Sequence, residues 1–265
     1  MKRPIGVFDS GVGGLTVVKE LMRLLPNENI IYFGDTARVP YGIKSKETIV
    51  KFSLENILFL LKQEVKTIVI ACNTSSSTAL PLLKRHFKIP IIGVIGPGVK
   101  EAIYATRNKR IGVIATKATI NSHAYERQIK RLNPKIKVFN QACPLLVPLA
   151  EEGWARRKET RDIANFYLKP MKKSGIDTLI LGCTHYPLLK EVLRRVLGNS
   201  VRLIDSARQV AYETKEILAS EGLLNNKKKQ GKYIFYVSDE LQQFKKLAKN
   251  FLGKDIENLK KVNNV

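Results

Sequence analysis

The 265-residue chain is 44% hydrophobic, enough to bury the core of one large domain or of two modest lobes. Its three cysteines form no CxxC pair and its three histidines no HExxH. This excludes a disulfide framework and a zinc-finger pattern, gives no motif for a dedicated metal site, and points to a reduced compartment. The formal charge of +23 is scattered over nearly every expected helix, as at Lys130, Arg131, Arg156, Arg157, Lys172, Lys173, Lys245 and Lys246. It therefore reads as solvated surface and not as a nucleic-acid stripe, while its field favours the approach of a small dicarboxylate.

Asp9 interrupts the amino-terminal apolar stretch before it could serve as a signal peptide, and the longest nearly apolar run, 89–99, is too short for a bilayer and carries prolines and glycines. A cytoplasmic protein with no membrane partner is expected. Strand-like runs at 5–8, 30–33, 67–71, 91–95, 110–115, 137–140, 177–181, 202–204 and 233–237 alternate with helix-like segments, which predicts an α/β fold of mostly parallel sheets covered by helices.

The first strand runs into Asp9-Ser10-Gly11-Val12-Gly13-Gly14 at the start of a helix, a natural site for an anion. The G-x-G-G spacing is neither that of a dinucleotide fingerprint nor that of a P-loop. Asp9 suits an Asx turn or N-cap there as well as orientation or proton relay beside a thiol. The second strand leads to Asp35-Thr36-Ala37-Arg38-Val39-Pro40-Tyr41-Gly42, an ordered loop whose spacing alone leaves structural loop and ligand clamp equally open. A helix over 46–64 carries Ile49, Phe52, Ile57, Leu60 and Leu61 on one face, and the third strand then delivers Cys72-Asn73-Thr74.

Past the glycine-proline cluster at 93–98, Ile111-Gly112-Val113-Ile114-Ala115-Thr116 echoes Ile5-Gly6-Val7-Phe8-Asp9-Ser10, and Cys183-Thr184-His185 follows its strand as Cys72-Asn73-Thr74 follows its own. The echo predicts two pseudo-symmetric lobes, 1–97 plus 207–265 and 98–206, with a ligand in the cleft between them. Each cysteine stands where open α/β sheets bind ligands. Taken singly, each is more often a buried small hydrophobe, but a helix start or a nearby donor would make its thiolate usable near neutral pH. His185 suits a proton relay or a structural histidine, whereas His86 and His123 read as surface residues. The last helix, 240–252, reads as a core face, Lys227-Lys228-Lys229 is the one basic run, and 260–265 reads as a frayed end.

Four long motifs occur in order: 8–17 from Phe8-Asp9-Ser10, 34–42 from Gly34-Asp35-Thr36, Ala71-Cys72-Asn73-Thr74, and Gly182-Cys183-Thr184-His185-Tyr186-Pro187. With them the chain resembles, from Ile5 to about Leu252, the glutamate racemases of the aspartate/glutamate racemase family. The resemblance implies cofactor-independent interconversion of L- and D-glutamate for peptidoglycan synthesis, with no metal and commonly as a homodimer. It implies Cys72 as the base toward D-glutamate and Cys183 as the base toward L-glutamate, with Asp9 and His185 as their respective assistants. Substrate contacts are implied at Asp9, Ser10, Tyr41, Gly42, Asn73, Thr74, Thr184 and His185, and Thr116, Thr119 and Glu151 match cleft residues. Members controlled by a cell-wall precursor carry a long amino-terminal extension, and by that resemblance this form of regulation is not expected here. An aspartate or other acidic amino-acid racemase, a pyridoxal-phosphate racemase and a non-catalytic binder of anions or nucleic acid are the alternatives.

Overall fold

The computed structural model describes residues 3–226 and 229–262, so Lys227 and Lys228 of the basic run and the last three residues of the expected frayed end lie outside the described residues. Among the described residues ten strands alternate with helices: β1 (Ile5–Asp9), β2 (Ile30–Gly34), β3 (Thr67–Ile70), β4 (Ile91–Gly93), β5 (Arg110–Ala115), β6 (Lys137–Ala142), β7 (Thr178–Gly182), β8 (Arg202–Ile204), β9 (Tyr233–Val237) and β10 (Leu259–Lys261). The central strands β1, β3 and β7 are buried at every position, as unbroken apolar runs must be when helices cover both faces of a parallel sheet.

The strands form two sheets, ordered β10-β9-β2-β1-β3-β4 and β6-β5-β7-β8, with every pair parallel. The second sheet repeats the order β2-β1-β3-β4 of the first, so the echo between segments 5–10 and 111–116 corresponds to equivalent central strands. In this order the connections leave in opposite directions from the two middle strands, and a crevice opens at their carboxyl ends. Asp9 and Cys72 flank that point in the first sheet, where Ala71 N donates to Phe8 O at 2.9 Å. Thr116 and Cys183 flank it in the second, where Ala115 pairs with Gly182.

All nine expected strands are present. The tenth, β10, corrects the reading of the carboxyl end as frayed: Leu259–Lys261 pairs in parallel with β9. Its exposed Lys260 and Lys261 belong to an edge strand, and lysines at such an edge obscure the apolar signal. One apolar core runs through both halves, from Ile5, Val7 and Leu15 to Ile111, Val113 and Ile180. The helix Ile95–Ala105 packs on β7, and Ala207–Ser220 packs on Leu15–Leu24 and on Ile95–Ala105. Among the described residues no helix is long and apolar enough to cross a membrane.

Candidate active site

The first arm is built at the ends of β1 and β3. Asp9 is fully buried, and its Oδ2 accepts from Gly11 N at 3.1 Å, the Asx turn that holds the glycine loop open at its side. Burial pushes the Asp9 carboxyl above its ordinary value, against the attraction of His185 and the hydrogen bonds from Gly11, Gly14 and Thr184. Cys72 Sγ donates to Ser10 Oγ at 3.6 Å. Burial, and then the charge of Asp9, push the Cys72 thiol up to about 11. Gly14 admits this packing, because a Cβ there would stand 2.5 Å from the Asp9 Cβ.

The second arm is built at the end of β7. Cys183 Sγ lies 3.7 Å from His185 Nδ1, and the opposite ring nitrogen, Nε2, is 2.8 Å from Glu151 Oε1. A buried imidazole held between a sulfur and a carboxylate gains more from being charged than burial costs. Against desolvation, the hydrogen bonds to Cys183 and Glu151 raise His185 to about 10. Phe251 of the helix Leu241–Leu252 closes over this ring edge-on, with centroids 5.4 Å apart.

Side chains from the two sheets meet between these arms. Thr184 Oγ1 donates to Asp9 Oδ1 at 3.4 Å, and Tyr125 O–H donates to Asn73 Oδ1 at 2.6 Å. The hydroxyls of Thr74, Thr116 and Thr119 form a triangle with sides of 3.0, 3.1 and 3.3 Å. Gly13 permits the closest approach: a Cβ there would fall 2.3 Å from Thr184 Oγ1 and 2.7 Å from His185 Nδ1. Asp9, Ser10, Cys72, Asn73 and Thr74 are thus brought together with Thr116, Thr119, Glu151, Cys183, Thr184 and His185. The two thiols are almost sealed from solvent, with Cys72 4% and Cys183 7% exposed.

Tyr41 is placed differently from its neighbours. Its hydroxyl donates to the Asp35 carboxylate and accepts from Asn56 Nδ2 at 3.1 Å, while its ring packs with Ile49 and Cys72 in one apolar cluster. Arg38 completes the network, with Nε donating to Asp35 Oδ2 at 2.7 Å and Nη1 paired with Glu55. The phenol of Tyr41 is thus taken up within its own loop network. Gly42 sits against Thr116, where a Cβ would come within 2.5 Å of the threonine Cβ. His86 and His123 are exposed, and Cys143 is buried in the core of the second half with its thiol raised by desolvation.

Sequence reasoning missed Tyr125, Phe251 and Ser75. Tyr125 and Phe251 show only as apolar positions of amphipathic helices, and Ser75 is one of several hydroxyls in a polar run.

The His185 cation makes stability depend on pH with a defined sign. A group raised by folding contributes stability that is complete below its ordinary value near 6.5 and is lost as pH rises through about 10. His185→Asn, which cannot take the charge, should flatten that part of the profile. Urea midpoints of both proteins at several pH values between 6.5 and 10 check this, and parallel curves would refute it.

Comparison with known proteins places this geometry among relatives. Residues 5–213 match the family described as Asp/Glu/hydantoin racemase. The chain is 53% identical over 262 residues to the glutamate racemase of Neisseria meningitidis serogroup A, covering 98% of this chain and 97% of that one. It is 50% identical over 251 residues to that of Geobacter metallireducens, covering 95% and 93%. Among solved structures, glutamate racemase from Francisella tularensis in complex with D-glutamate superposes with a TM-score of 0.93 at 46% identity, covering 99% of this chain and 98% of that one.

Proposed function

The chain belongs to the Asp/Glu/hydantoin racemase family, and from that premise we propose that it interconverts L- and D-glutamate by moving a proton between two thiols and the α-carbon. The observation that carries the reading is the pairing of each thiol with its own ionisable partner across one hydrogen-bonded seam. Cys72 lies beside Asp9 and Cys183 beside His185, and Thr184 joins the two sides through Asp9.

With L-glutamate, the Cys183 thiolate takes the α-proton, and the Cys72 thiol delivers its own to the opposite face of the carbanion. With D-glutamate the roles reverse, so each turnover exchanges one proton for another and the substrate leaves inverted. The His185 cation lies against the Cys183 sulfur, and the upward shift of Asp9 by burial weakens the negative charge that opposes a thiolate at Cys72. Donors from Ser10, Asn73 and Thr184 to the α-carboxylate stabilise the charge that builds there in a water-poor cleft. Tyr41 and Gly42 contribute backbone groups, and Thr74 helps hold the substrate.

Because both thiols are nearly buried, substrate entry requires the halves 1–97 plus 207–265 and 98–206 to part and close again. A cytoplasmic homodimer that supplies D-glutamate for peptidoglycan accords with the family.

Purified protein incubated in heavy water with each glutamate enantiomer should lose circular dichroism to zero from both sides and gain α-deuterium, with aspartate turned over much more slowly. Deuteration without inversion, or equal rates on aspartate, would overturn the assignment.

A further inference from the structure

Residues 73–78 form a helix made wholly of side chains that can hydrogen-bond, and almost all of them are visibly engaged. Asn73 accepts from Tyr125, and Thr74 meets Thr116 and Thr119. Ser76 Oγ donates to Ile70 O at 2.9 Å, while Ser77 Oγ donates to Thr74 O at 3.0 Å and meets Thr78 Oγ1 at 3.4 Å. Ser75 differs from all of these. It is fully buried, and among the described residues its Oγ is the one buried side-chain oxygen or nitrogen with no hydrogen-bond partner.

A buried hydroxyl without a partner is costly, and one beside a reacting group calls for an explanation. Ser75 stands three residues after Cys72, the residue that caps the helix. Side chains at a cap and three residues beyond it face one another, which is the geometry of a capping box. The atom that Ser75 faces here is a sulfur.

Resting on the reading of Cys72 as a base, we propose that Ser75 is a positioning residue whose hydroxyl takes up its hydrogen bond only when Cys72 becomes a thiolate. A thiol is a weak acceptor, so the hydroxyl gains little from it; a thiolate is a strong one. An interaction present in one protonation state and absent in the other selectively stabilises the state that abstracts the proton. The groups around Cys72 define what it adds. Asp9 on β1 and Tyr32 on β2 face the sulfur with like charge when ionised, and Tyr41 has committed its hydroxyl to Asp35. Ser10 and Ser75 remain as side-chain donors to the anion, and the N–H and hydroxyl of Ser75 both oppose the upward shift caused by burial and Asp9.

The test follows Cys72 alkylation by iodoacetamide as a function of pH, with adducts located by mass spectrometry, in the parent and in Ser75→Ala. The midpoint for Cys72 should move up by about one pH unit, and kcat/KM should fall about tenfold. That fall must be equal for the two enantiomers, because their equilibrium constant is fixed by symmetry. The urea midpoint should not fall, since the substitution removes an unpaired buried hydroxyl; a structural role would lower it. If Ser75→Ala does not fold, Ser75→Cys provides the same readout with a weaker donor. An unchanged Cys72 midpoint while Cys72→Ala is inactive overturns this inference alone. Turnover in Cys72→Ala overturns the reading beneath it.

Discussion

Cys72→Ala and Cys183→Ala should each lower racemisation by about 10³-fold or more, in both directions, which is the range expected when a positioned acid or base is removed. Each turnover uses both sulfurs, one as base and the other as acid, so deleting either breaks the cycle for both enantiomers. The double variant should be little worse than either single one, because groups that act as a unit do not contribute additively. Their partners should separate the two arms. With Cys183 and His185 intact, Cys72→Ala should still exchange the α-proton of L-glutamate slowly in heavy water, without inversion, whereas Cys183→Ala should do so with D-glutamate. Chiral chromatography with mass detection resolves inversion from exchange. Racemisation within tenfold of the parent in either single variant would remove that thiol from the mechanism.

How much of this site was legible depends on the distance over which its parts are connected. Thr67–Ile70 and Thr178–Gly182 are wholly buried apolar runs, so sequence alone places a cysteine just beyond each strand. The local residues Asn73, Thr74, Thr184 and His185 come with them, as Ser10 comes with the end of β1, because a strand end and the following turn fix a few residues at once. The bonds that join the halves have no local signature. Tyr125 reaches Asn73 and Thr184 reaches Asp9 across separate sheets, and no spacing in the chain encodes either pair. Glu151 could be named only through family resemblance, yet it is the carboxylate that holds His185. Tyr41 shows the converse limit: its position was legible, but the direction of its hydroxyl was set by Asp35 and Asn56. The outcome at β10 was governed by an edge whose lysines look like a solvated tail.

The amino-terminal end of β3 carries a feature of another kind, a nearly buried ion pair. Lys66 Nζ lies 2.5 Å from Glu28 Oε2, and the two side chains are only 3% and 2% exposed. Lys66 also donates to Leu223 O at 2.7 Å, while Glu28 Oε1 accepts from Asn225 N at 2.7 Å. The pair thereby ties the segment that leads into β9 to the end of the sheet remote from Cys72. Lys66→Met would leave the Glu28 carboxylate buried with no cation and should destabilise the fold by about 3–5 kcal/mol. The double variant Lys66→Met with Glu28→Leu removes that stranded charge and should recover part of the loss, leaving about 1–3 kcal/mol for the lost hydrogen bonds to Leu223 O and from Asn225 N. Urea unfolding of the parent, the single and the double variants measures both steps. Because Lys66 and Cys72 lie at opposite ends of β3, kcat of the folded single variant should match the parent. A single variant as stable as the parent would show that the pair adds nothing, and a double variant less stable than the single would show that the stranded charge is not the cause.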